Sequence, residues 1–202
     1  MMGKLQLPKI EIGQVRKLDS IKGIASSRLV AIAEVDAMDA TCLVFLLGNA
    51  TDAATPRDVV ISKNTAALPY DIALMGDYLS RADQGRLASN PILGKLSEEL
   101  IRAVRHAVDI SPFGAINIDE NKYSVEVGSF PAQKYDAVWT FRDAEAANFA
   151  LLTFVRDKSS LEFAVKFLQI NHENPSAFDD PEVNLDAIRF RAISKERIEV
   201  AA

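Results

Sequence analysis

Base and metal chemistry in this chain can draw on few groups: two imidazoles, His106 and His172, and one thiol, Cys42. His106 stands beside Arg102 and Arg105, whose cations disfavour its protonation. Glu98 to Arg102 and Arg105 to Asp109 have the four-residue spacing of ion pairs on a helix surface, so this stretch reads as a solvated charged face. His172 differs, because Glu173, Ser176, Asp179 and Asp180 follow it. A base with carboxylates in reach makes a carboxylate- or metal-dependent hydrolase with its site near His172 one candidate function. Two isolated histidines without a His-x-x-x-His pair supply too few nitrogen ligands for zinc, so no catalytic residue, metal ligand or cofactor is assigned.

Other chemical patterns fail on one residue each. In Asp180-Pro181-Glu182-Val183-Asn184-Leu185-Asp186 oxygen side chains recur at every second position, as at the start of a calcium loop. Leu185 stands where the sharp-turn glycine is required, and Arg191 where the bidentate glutamate should be. What remains is a divalent-ion site made by Asp179, Asp180, Glu182 and Asp186, weighed against helix capping by the same acids. Asp119-Glu120-Asn121-Lys122 has the residue types of a nuclease centre, but it reads as a hairpin turn. No Gly-x-Gly pair exists to cradle a phosphate. Cys42 lies within Thr41-Cys42-Leu43-Val44-Phe45, where burial keeps a thiol unreactive.

Aromatic residues interleaved with basic ones carry a further alternative, single-stranded nucleic-acid binding on sheet aromatics. Its residues are Trp139, Phe141 and Arg142, with Arg189 and Arg191 around Phe190. Net charge opposes it. Residues 113–202 hold ten basic against fifteen acidic side chains, or −5, which disfavours phosphate contacts.

The charge is unevenly placed. Residues 1–33 carry six basic against two acidic side chains, +4, while residues 34–112 carry seven against eleven, −4. The leading segment also alternates, with Leu5 and Leu7, then Ile10 and Ile12, out of phase across Pro8-Lys9. Proline cannot donate to a ladder, so this segment reads as a bulged edge strand or an extended arm. A basic, strand-forming leader suits docking on an acidic neighbour, and Lys4, Leu5, Leu7, Lys9, Ile10, Ile12, Arg16 and Lys17 are its expected contacts. The leading functional expectation is therefore a non-catalytic protein-interaction or self-assembling structural component, its partner being itself or another protein. The competing reading makes the same residues an ordinary edge strand of their own domain.

The elements that must position these groups follow from the spacing of apolar residues. Composition is ordinary for a globular protein of 202 residues, 49% hydrophobic and 25% charged. Residues 28–35 and 41–47 read as neighbouring central strands covered on both faces, joined by a hairpin loop at 36–39, and 58–62 as a short strand. Helical spacing then predicts a central helical pair, about 69–84 and 91–109. The first carries Ile72, Met75, Tyr78 and Leu79; the second starts at Asn90-Pro91 and carries Leu93, Leu96, Leu100, Val104 and Val108. Period two is read again in 115–118, 123–127, 135–141, 149–155, 161–170 and 188–193. The expected fold is α+β, with antiparallel or mixed sheets. The expected division is a basic segment or edge strand at 1–28 and a single domain at 29–202. No apolar run is long enough to span a bilayer and no secretory h-region is seen, so a cytoplasmic protein without membrane contact is expected.

Overall fold

The structure is a computed structural model that describes residues 9–111, 114–130 and 136–173, with backbone only at 136–140 and 167–173. It is an α+β fold built on one antiparallel sheet. The strands are β1 (Gln14–Leu18), β2 (Arg28–Asp36), β3 (Thr41–Gly48), β4 (Asp58–Ile61), β5 (Ile72–Asp83), β6 (Gly94–Lys95) and β7 (Val125–Val127), in the order β6-β1-β2-β3-β5-β4-β7. The helices are α1 (Lys63–Ala66), α2 (Gln84–Ala88), α3 (Glu98–Ile110), α4 (Glu120–Tyr123), α5 (Asp136–Phe154) and α6 (Lys158–Glu173). The sheet curls, so that a Cβ on Gly94 of β6 would stand 2.6 Å from the carbonyl oxygen of Ala66, just after β4.

β2 and β3 form the expected central hairpin, with Ala31 opposite Phe45 and Val30 opposite Leu46. Their side chains alternate between two cores. Ala31, Ala33, Phe45 and Leu47 face a cluster closed by α3, while Val30, Ile32, Val44 and Leu46 face one closed by α2 and α5. With both faces covered, the strands read as continuous apolar runs. On α3, Leu100, Ile101, Val104 and Val108 recur at three and four and are buried. Burying each contributes about 1.5–3 kcal/mol relative to leaving it in water.

The expected helical pair is corrected. Residues 72–83 are a strand, β5, paired with β3 and β4. Its apolar residues mimic a helix because the β3–β5 register slips: Leu79 opposes Phe45, but Leu74 opposes Leu47. Ile72, Leu74 and Leu79 therefore face one core, and Met75 and Tyr78 the other. Gly76 sits in the slip, and its amide donates to the Arg57 carbonyl at 3.1 Å. The second helix starts later than expected. Residues 91–97 are not helical; Gly94 and Lys95 pair with Val15 and Gln14, and Ser97 caps α3 by accepting from the Leu100 amide at 3.2 Å. Ser97 followed by Glu98 and Glu99 is the stronger start, since the acids lie at the positive end of the helix dipole.

The later strands are corrected as well. The spacing predicts strands at 135–141, 149–155 and 161–170; instead residues 136–154 are the single helix α5, and 158–173 are α6. Ala137, Ala144, Ala146, Ala147 and Ala150 favour the helix throughout. Asp157 starts α6, its Oδ1 accepting from the Ser160 amide at 2.8 Å. Residues 115–118 are irregular, and 120–123 form one helical turn capped by Asp119. The strand expected at 188–193 lies outside the described residues.

Candidate ligand cavity

β4 opens with a carboxylate. Asp58 is fully buried, and its Oδ2 accepts from the Thr55 amide at 2.8 Å and the Thr55 hydroxyl at 2.9 Å. Arg142 on α5 completes it, with Nη1 donating to Oδ2 at 2.6 Å and Nη2 to Oδ1 at 3.1 Å. Burial works against the Arg142 charge, but the hydrogen bonds and charge of Asp58 outweigh it and hold the guanidinium above its ordinary value. The Tyr78 ring lies 5.3 Å from the Arg142 guanidinium carbon, and its hydroxyl donates to the Arg142 carbonyl at 3.2 Å. Among the described residues Arg142 Nε has no acceptor.

The face of α5 turned to the sheet is polar at one end and apolar at the other. Glu145, one turn past Arg142, accepts from Arg28 at the start of β2, with Nε to Oε2 at 2.6 Å and Nη2 to Oε1 at 2.5 Å. This is a side-on, two-point pair, its side chains 24% and 15% exposed. Arg28 Nη1 donates to the Ser27 carbonyl at 2.9 Å, so all its nitrogens are engaged. One further turn on, the Asn148 amide exchanges two 2.8 Å hydrogen bonds with the backbone of Ser26. Phe149 and Leu152 then enter the core, and the Ser80 hydroxyl donates to Thr153 at 2.9 Å.

Between this polar end of α5 and the sheet lies a cavity of about 330 Å³. That size falls at the lower end for small-molecule sites. Its apolar wall includes Leu47, Ile72 and Met75; Asn49, Arg28, Glu145, Asp58 and Arg142 supply the polar groups. Tyr70 and Phe141, 45% and 42% exposed, also line it. Two guanidiniums and two carboxylates balance in charge, but they differ in access: Asp58 and Arg142 are sealed, whereas Arg28 and Glu145 touch solvent.

The residues singled out from the sequence are dispersed. Ile10 is buried in one core, Ile12 packs against the other, and Arg16 is buried without any exposed surface, so these three are engaged within the domain. Arg16 donates to Gln14 Oε1 at 2.9 Å and to the carbonyls of Leu87 and Asn90 at 3.1 and 2.6 Å. Lys9 and Lys17 pair at the surface with Glu11 and Asp19. Lys4, Leu5 and Leu7 lie outside the described residues, as do residues 179–186, Arg189 and Arg191. β1 itself is one strand in from the sheet edge, flanked by β6. Trp139, Phe141 and Arg142 stand on a helix instead of a sheet, and the Arg142 guanidinium is committed to Asp58. His106 is exposed on α3; His172 is on α6, its side chain outside the described residues.

Arg28, Asp58, Tyr70 and Glu145 are the cavity residues that sequence reasoning missed. Two signals pointed to Asp58 and Glu145, and none to Arg28 or Tyr70. Asp58 is a lone acid opening the apolar run Val59-Val60-Ile61, and Arg142 and Glu145 share one face of an alanine-rich helix. Among the described residues no helix is long and apolar enough to cross a membrane. No family model and no curated protein matches this sequence.

Proposed function

We propose that this chain binds a small molecule carrying a phosphate or carboxylate group in the cavity between the sheet and α5, with Arg28 as the anchor. The observation that carries this reading is the side-on pairing of Arg28 with a carboxylate in the cavity wall. A planar guanidinium with two parallel donors fits a carboxylate or phosphate edge. Partial burial strengthens such a contact by lowering the local dielectric. Ile72 and Met75 offer an apolar wall for the body of the ligand, and the rings of Tyr70 and Phe141 suit an aromatic one. Isothermal titration of the full chain with phenyl phosphate, benzoate and inorganic phosphate tests this. Saturable binding lost in Arg28→Gln supports it; heats that are absent, or unchanged in Arg28→Gln, refute it.

A second reading concerns the leading segment. It has the chain working through protein contacts, with residues 1–8 reaching a neighbouring subunit. What favours it is the surface where those residues join the domain. The Lys9 side chain is 84% exposed, Glu11 bridges Lys9 and Lys95 at 3.4 and 3.9 Å, and Ile92 and Leu93 beside β6 are 49% and 40% exposed. Cations next to apolar side chains suit a partner presenting acids around an apolar patch. Light scattering of the full chain against one lacking residues 1–8 decides: a mass above 22.1 kDa that the deletion lowers supports it, and equal monomeric masses refute it. The free, buried Cys42 thiol suits either role in the cytoplasm.

A further inference from the structure

We infer that Glu145 is a built-in competitor for the Arg28 anchor, so that α5 is an autoinhibitory strap whose carboxylate must leave Arg28 before a ligand oxyanion can take its place. The inference rests on the oxyanion reading of the cavity. Its basis is stereochemical. Arg28 has two forks of parallel donors, and the side-on one, Nε with Nη2, is given entirely to Glu145. Its remaining nitrogen, Nη1, donates to the Ser27 carbonyl. With Nη1 of the end-on fork turned to that carbonyl, a carboxylate or phosphate held at two points on the side-on fork and the Glu145 carboxylate require the same atoms. Their negative charges also repel within a partly desolvated site, so both cannot stay.

The strap is held by more than this pair. Arg142 with Asp58, Asn148 with Ser26 and Thr153 with Ser80 tie the same helix to the sheet. Releasing Glu145 thus costs one contact and leaves the helix docked. Displacement needs only rotation of the Glu145 side chain toward solvent, which already reaches 15% of it. Ligand affinity then reports the difference between two oxyanions on one guanidinium, and removing the internal one should tighten the external one.

The test compares wild type, Glu145→Gln and Arg28→Gln by isothermal titration with phenyl phosphate and benzoate, with folding checked by far-UV circular dichroism. The neutral amide of Glu145→Gln cannot hold the fork by charge, so binding should tighten roughly tenfold for at least one ligand, while Arg28→Gln binds neither. The arm that tightens more identifies phosphate or carboxylate as the preferred group. Should Glu145→Gln fail to fold, Glu145→Asp decides instead, since its shorter carboxylate spans the fork less well and should give a smaller gain. Arg28-dependent binding that is unchanged or weaker in a folded Glu145 variant overturns the strap while the oxyanion reading stands. Binding by none of the proteins, or binding that persists in Arg28→Gln, overturns both.

Discussion

Arg142 of α5 and Asp58 of β4 form a two-point ion pair, at 2.6 and 3.1 Å, in which the side chains are only 4% and 0% exposed. The pair joins residues far apart in the chain and fixes the polar end of α5 on the sheet. Removing one partner of such a pair leaves the other charge buried alone, which costs about 3–5 kcal/mol. Arg142→Met should therefore lower stability by about that amount. Adding Asp58→Asn should cost much less than its effect alone, because the carboxylate is already orphaned. Urea unfolding of the two single variants and the double variant measures this, and simple additivity would show the pair to be energetically uncoupled.

Gly76 lies where β5 loses register with β3. A Cβ there would stand 2.2 Å from the Arg57 carbonyl oxygen and 2.8 Å from Ile116 Cδ1. The backbone oxygen cannot swing aside as a side-chain tip can. Gly76→Ala should therefore force β5 away from residue 57 and destabilise by about 1–3 kcal/mol or more. Thermal unfolding checks the size, and a neutral or stabilising substitution would refute the close approach.

The same slip explains what the sequence conceals. The β2–β3 hairpin is legible because both strands are apolar on both faces, and only that pattern survives without knowledge of partners. β5 is not legible, since its register change moves Met75 and Tyr78 to the opposite face from Leu74 and Leu79 and so imitates three-and-four spacing. α5 is hidden for another reason: Arg142, Glu145 and Asn148 face inward at one end, so it lacks a continuous apolar stripe. The cavity inherits both difficulties. Its two ion pairs link residues 28 and 145, and 58 and 142, which only the three-dimensional arrangement brings together.

Alkaline pH should weaken the fold through two acids, the buried Cys42 thiol and the half-buried Tyr78 hydroxyl. Burial pushes the Cys42 thiol up to about 11, against a hydrogen bond from Gln84 and the charge of Arg16. Burial likewise pushes the Tyr78 hydroxyl up to about 12, against the pull of Arg142. Each group holds its proton more tightly folded than unfolded. Their contribution is complete below the unfolded pKa values and is lost as pH rises through the folded ones, from about 9 for the thiol toward 12 for the phenol. The urea midpoint should fall between about pH 8 and about pH 10.5, and by less in Cys42→Ala. An equal fall in both proteins would remove the thiol from this linkage.

Arg86 holds the far end of α5. Its amide donates to Asp83 Oδ1 at 2.8 Å, which fixes α2, and its Nη1 donates to the carbonyls of Leu152 and Val155, the latter at 2.7 Å. These carbonyls close the last turn of α5, where no amide of the same helix can reach them, and a cation there also meets the negative end of the helix dipole. Burial disfavours the charge, and the nearby carboxylates of Asp83 and Asp19 offset it in part. Arg86→Ala should lower stability by about 1.5–3 kcal/mol, the usual worth of hydrogen bonds from a charged donor. Its effect should be local, because the other end of the helix has its own anchors in Arg142 and Glu145. Amide exchange should therefore quicken around residues 152–157 and stay unchanged around 142–145, with Arg86→Lys giving partial recovery through a single donating atom. Faster exchange spread evenly along α5 would show that its two ends are not held independently, and that the contact near Val155 also secures the wall of the cavity.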